Sequence, residues 1–166
     1  MRLDEELDQA LRNRAKEERV TVNSLMNRVL WKFIEWDLPC SKIGMVGVSQ
    51  VTVTKFLTEV DDEKLTELGK QIAWEFVKPF IEYLYGKLSV DSSILFFKRM
   101  SHYANRFEFD ATVEGGRRTL VLRHNMSQKW SRYYSGLAEG LYHDLLGKQA
   151  KIDSTDELCM VQFPAD

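Results

Sequence analysis

Two cysteines in 166 residues, Cys40 and Cys159, are too few to staple a fold. A disulfide framework is excluded and a reducing, cytoplasmic setting is expected. No run of about 18 apolar residues occurs, the length that a membrane-spanning helix needs. The opening MRLDEELDQ lacks the basic start and apolar core of a secretory signal, so no membrane is expected. A basic excess is missing too: 23 Lys and Arg stand against 25 Asp and Glu, a net charge of −2. Bulk charge therefore does not advertise nucleic acid, although binding depends on local patches. No G-x-S-x-G, P-loop, G-x-G-x-x-G or H-E-x-x-H motif is present. Asp61-Asp62-Glu63 reads as the acidic start of a helix. His102, His124 and His143 fall on separate elements, with no H-x-H, H-x3-H or C-x2-C spacing. No metal site is expected, no cofactor is indicated, and the chain is expected not to be an enzyme.

What the chain does hold is apolar periodicity, in a composition of 44% hydrophobic and 29% charged residues that suits a folded protein. Over Thr21–Trp36, the apolar residues Val22, Leu25, Met26, Val29, Leu30, Phe33, Ile34 and Trp36 recur at helical spacing. This stripe is wider than one packed neighbour requires, and the helix before it is too small to cover it. That earlier helix has Asp4 as its N-cap, Glu5 and Glu6 in its first turn, and Ala10, Leu7, Leu11 and Ala15 on one face. Surplus apolar surface on a short two-helix unit points to a second copy, so a homodimer is expected. Thr21 is read as the N-cap of the wide-faced helix, and Pro39 as its stop.

The run RLDEELDQALRNRAKEERVTVNSLMNRVLWKFIEW resembles the ribbon–helix–helix family of dimeric DNA-binding proteins. The resemblance covers roughly a quarter of the chain, and Met1-Arg2-Leu3 would be the end of the ribbon strand. It implies that this strand pairs with its copy and enters the major groove of double-stranded DNA. It also implies that Arg2 approaches the groove while Thr21, Asn23 and Ser24 hold a phosphate at the helix N-terminus. Only Arg2, apart from Met1, stands before Leu3, a shorter ribbon than that family usually carries. The domain order is also similar to that of nickel-responsive repressors, without their closely spaced ligands.

Residues 1–39 thus form the first unit and residues 40–50 a linker, with Gly44 and Gly47 as breaks. Residues 51–166 form an α/β unit, entered through a short strand within Val46–Val53 and a turn of helix through Leu57 capped by Thr52 or Thr54. A long helix from Asp61 or Asp62 to Tyr85 follows, interrupted at Pro79 and ended by Gly86. Val90–Met100 is a further helix. From Arg106 the period becomes two: Phe107, Phe109, Ala111 and Val113 alternate with polar residues. Gly115-Gly116 makes a hairpin turn, Arg118–His124 returns, a helix runs to about Leu146, and Leu158–Phe163 is a last strand. The expected class is α+β: a ribbon–helix–helix-like dimerisation unit, then an α/β domain of ferredoxin-like outline, its antiparallel sheet covered by helices.

One cluster in the second unit carries possible chemistry. Arg123, His124, Asn125, Lys129 and Arg132 surround the passage from a strand into a helix N-terminus, a setting that favours an anion. The plain alternative is that Asn125 or Ser127 caps the helix, Lys129 and Arg132 face water, and His124 ends a strand. Phe76, Phe80, Tyr83, Tyr85, Phe96, Phe97, Tyr133 and Tyr134 line either an apolar effector pocket or the core; their helical spacing favours the core. The expectation is a dimeric transcriptional regulator whose second unit senses a small-molecule effector or a partner. The alternative is a dimeric scaffold protein whose short ribbon no longer binds DNA.

Overall fold

A computed structural model describes residues 3–104 and 106–165 of the chain, which divides into two compact units, 1–46 and 47–166. In the first unit, the Asp4 carboxylate accepts from the Glu6 N–H at 3.0 Å and starts α1 (Glu5–Glu17), as its place before two glutamates predicts. Arg19 adopts φ +56°, and the Val20 N–H donates back to the Ala15 carbonyl at 2.9 Å. This left-handed residue reverses the chain. The Thr21 hydroxyl then caps α2 (Val22–Lys32), accepting from the Ser24 N–H at 3.1 Å. Glu18 ties the two helices, pairing with Arg14 at 2.5 Å and with Arg28.

The second helix does not stop at Pro39. It passes through a π-helical turn, Phe33–Asp37, into α3 (Leu38–Lys42). Proline lacks an N–H, and its ring crowds the carbonyl four residues back. The π turn, with the Leu38 N–H donating to the Phe33 carbonyl five residues back, shifts the bonding register just ahead of the ring.

The ribbon–helix–helix expectation is overturned. Among the described residues the first unit is wholly helical, and Leu3 and Asp4 lie outside any strand. Asp4 is committed to capping α1, and the first strand appears only at Glu108. The expected fold class fails with the ribbon. So do the readings as a DNA-binding transcriptional regulator, as a ribbon-paired homodimer on double-stranded DNA, and as a scaffold descended from one.

The second unit opens with α4 (Gln50–Thr58), where a strand was expected. The valines of this stretch change parity between Val48 and Val51, and Val46, Val48 and Val51 face solvent. Ser49 takes the N-cap position instead, accepting from the Thr52 N–H at 3.2 Å. A long helix follows: α5 (Asp62–Ile72), a π turn over Ala73–Val77, and α6 (Lys78–Tyr85). The turn precedes Pro79 as the other precedes Pro39, with the Lys78 N–H bonded to the Ala73 carbonyl. Gly86 ends α6 at φ +80°. After α7 (Val90–Ala104) come β1 (Glu108–Glu114), β2 (Arg117–Arg123), α8 (Gln128–Ala138) with its π continuation Glu139–Leu145, β3 (Lys151–Ser154) and β4 (Leu158–Pro164).

The four strands form an antiparallel sheet in the order β1-β2-β4-β3. No strand precedes the helices among the described residues, and β3 pairs beside β4, so the ferredoxin-like outline is also replaced. Register places Phe109, Leu122 and Cys159 in one row, and Ala111, Leu120, Val161 and Ile152 in the next. This face meets α7 and α8. Helix α8 is buried nearly all round, with Trp130, Ser131, Tyr134, Leu137, Ala138, Leu141 and Tyr142 inside. It lies between the sheet and α5.

Glycine makes that sandwich possible. A Cβ on Gly136 would sit 2.0 Å from the Thr66 carbonyl oxygen, and one on Gly69 2.3 Å from the Tyr133 carbonyl oxygen. The backbones of α5 and α8 therefore touch where no other residue fits. Among the described residues, no helix is long and apolar enough to cross a membrane.

Candidate functional site

The expected cluster divides. Lys129 and Arg132 turn toward α5 and become braces between helices. Lys129 donates to the Val60 carbonyl at 2.6 Å and pairs with Asp62 at 2.9 Å; Arg132 lies 3.6 Å from the same carboxylate. The Lys129 hydrogen bond holds the Asp62 carboxyl below its usual range. Their charge is used inside the fold.

Arg123, His124 and Asn125 go the other way. With Gln50, Arg106, Phe107, Glu108, Glu157 and Leu158 they line a groove of 510 Å3 at the end of β2. Gln50 comes from the start of α4; the others come from the α7–β1 connection, the start of β1, the end of β2 and the start of β4, which the register brings level: Glu108 opposite Arg123, and Arg123 opposite Leu158. Arg123 pairs with Asp110 at 2.7 Å. Arg106 makes no ion pair among the described residues and stands as the available cation of the groove. Glu108 and Glu157 line the same groove, while Asp110 already holds Arg123.

His124 is buried behind this surface. Its N–H donates to the Glu157 carbonyl at 2.8 Å. The ring Nε2 is 3.0 Å from Ser131 Oγ, and the Met126 N–H approaches Nδ1 at 3.4 Å. Ser131 Oγ and the imidazole Nε2 thus share a hydrogen bond whose donor is set by the ring tautomer. Burial lowers the imidazole's proton affinity, against a smaller opposing pull from Glu157. The pair has the spacing of a nucleophile and base. Ser131, however, is wholly buried.

Ser127 stands at the N-cap position of α8, but its hydroxyl makes no capping bond. It is buried without a partner among the described residues. Asn125 is exposed at the groove.

A second space lies in the core, between the sheet and α8. It is a cavity of 30 Å3 lined by Phe97, Phe109, Leu120, Leu122, Tyr134, Leu137, Ala138, Tyr142, Cys159 and Val161. At one side Tyr142 OH meets Ser93 Oγ at 3.0 Å. Burial pushes the Cys159 thiol up to about 11, so at neutral pH it is a packed, protonated group. Periodicity placed Phe97 and Tyr134 inward, but it could not show that a space remained between them.

In the first unit, Thr21 and Ser24 are occupied with each other: besides the capping bond their hydroxyls lie 2.8 Å apart. Asn23 is exposed, and Arg2 lies outside the described residues. Among the described residues, no group of three or more His, Cys, Asp or Glu side chains could hold a metal ion. Comparison with protein-family models, with curated proteins and with solved structures finds no match to this chain.

Proposed function

We propose that residues 47–166 form a non-catalytic binding module whose groove takes a small ligand with one negatively charged group. The observation that carries this reading is the convergence of Arg106, Arg123, His124, Asn125 and Gln50 on one groove of 510 Å3, a size typical of small-molecule sites. The cation without an ion pair, Arg106, supplies the charge partner; Gln50 and Asn125 supply neutral donors. Glu108 and Glu157 repel a ligand with several negative charges, such as a nucleotide polyphosphate. The complete burial of Ser131 beside His124 supports binding without turnover.

The test is a 1H–15N titration of the full chain with a panel of small monocarboxylates. Shifts confined to groove residues, and at least tenfold weaker binding in Arg106→Gln, are expected. A panel that moves no groove residue overturns the proposal.

A further inference from the structure

The groove and the core cavity are separated by a single aromatic layer. Phe107 lines the groove. Its ring lies 6.3 Å from that of Phe97 and 5.7 Å from that of Tyr134, and both of those line the cavity. Tyr134 in turn faces His124 of the groove at 5.5 Å. Phe107 and Tyr134 are thus the partition, with polar groups on one side and a wall of carbon on the other.

The two halves of the partition differ in freedom. Tyr134 sits on the central helix α8, packed against Trp130 at 5.6 Å and Tyr133 at 5.5 Å. Phe107 stands between α7 and β1, outside both elements and ahead of the first ladder pair. Both rings are buried, but only Tyr134 is carried by a helix.

Resting on the groove being a ligand site, we propose that its ligand is an amphiphilic monocarboxylate with a short apolar body. The carboxylate binds at Arg106. The body runs past Leu158, displaces the Phe107 ring and ends in the space between the sheet and α8. The cavity alone is about the volume of one small molecule's terminal group, near the share of liquid held by one water. Room for the rest of the body is the volume that the Phe107 ring vacates. A short chain or a single aromatic ring therefore fits, and a long acyl chain does not.

The experiment is calorimetric titration of the full chain with acetate, butyrate, hexanoate and octanoate, alongside hexanamide, with 1H–15N spectra recorded in parallel. Affinity is expected to rise about threefold or more per added methylene, then level off before octanoate. Hexanamide is expected to bind at least tenfold more weakly than hexanoate. Phe107→Ala removes the moving half of the partition and should raise the association rate of hexanoate at least tenfold. Ala138→Leu fills the cavity and should abolish the gain with chain length; the rate measurement on Phe107→Ala decides the matter if that variant does not fold. Affinities that ignore chain length, with shifts confined to the groove, overturn the amphiphile and leave the groove reading standing. Equal binding of hexanamide overturns the carboxylate assignment. No response of any groove residue to any of these compounds overturns both.

Discussion

Two helices of this protein share a local device and meet opposite fates. In each, a π turn precedes a proline by two positions: Phe33–Asp37 before Pro39, and Ala73–Val77 before Pro79. Each is apolar around the turn. In the second unit most of that surface is covered, with Ala73, Val77, Phe80 and Ile81 buried and Trp74 about half exposed. In the first unit Val29, Leu30, Trp31, Phe33 and Ile34 are all about half exposed or more, with Trp31 59% exposed. The same backbone solution to proline thus serves a core helix and an open one. An apolar stripe measures the demand for a partner; whether a partner is supplied depends on the rest of the chain.

The sharpest way to break the comparison is at the element that covers the buried helix. Gly136→Ala puts a methyl group where the Thr66 carbonyl oxygen would be 2.0 Å away, and both atoms belong to helix backbones that cannot yield singly. A loss exceeding about 4 kcal/mol is expected, enough to unfold residues 47–166. Loss of near-UV dichroism and a collapsed urea midpoint would record it. Gly44→Ala in the first unit meets nothing within 4 Å and strains only a φ of +74°, a cost of about 1 kcal/mol. Equal effects at the two glycines would refute the claim that α5 and α8 are locked by backbone contact.

A smaller contrast separates the two stripes. Phe80→Ala removes a ring that is 2% exposed and packs edge-on against Phe96 at 5.4 Å; about 3–5 kcal/mol should be lost. Phe33→Ala, at 52% exposure, should change stability by no more than about 0.5 kcal/mol. Urea unfolding of the two variants gives the ratio directly. A large loss at Phe33 would mean that the open face is covered in solution. Below this come the caps: Thr21→Ala and Ser49→Ala should each cost about 1 kcal/mol, seen as faster amide exchange in the first turn of α2 and of α4.

These contrasts also mark what could be read from residues alone. Asp4 and Thr21 were legible as caps because a short acceptor side chain before a periodic run has one economical use. The Gly115-Gly116 hairpin was legible because both residues need positive φ, and they have it at +55° and +72°. The strand expected within Val46–Val53 is absent because Val46, Val48 and Val51 face solvent and Ser49 caps a helix there instead. Lys151–Ser154 was missed because four residues, two of them charged, pair at the sheet edge with too little apolar signal. Pro39 misled because a π turn is invisible to a rule written for α-helical bonding. Of the expected cluster, Arg123, His124 and Asn125 line one groove, while Lys129 and Arg132 face the other way, toward Asp62, a division that charge pattern cannot show. Arg106 and Gln50 were beyond reach, since only the α7–β1 connection and the start of α4 bring them to the groove.

The last expected effect is in pH, and it separates the units by window. Every histidine of the chain belongs to residues 47–166. Burial lowers the proton affinity of His124 in the fold, whereas the unfolded imidazole takes its proton at about 6.5. Below that value the unfolded state binds more protons, so stability falls as pH drops from about 6.5 toward the lowered folded value. In the first unit the comparable group is Glu18, held low chiefly by its hydrogen bond to Arg28. Its contribution is present above the unfolded carboxylate value of about 4.3 and is lost only below it. Between pH 6.5 and 5, amide exchange should therefore quicken around β2 and the start of α8 and stay level in α1 and α2. His124→Gln keeps an amide donor toward Ser131 and removes the titration, so it should flatten that response by up to about 1 kcal/mol per pH unit. A response that persists unchanged in His124→Gln would assign the acid sensitivity to another group. One that appeared equally in α1 and α2 would mean that the two units do not unfold separately, and the contrast between their helices would then have to be explained by one shared transition.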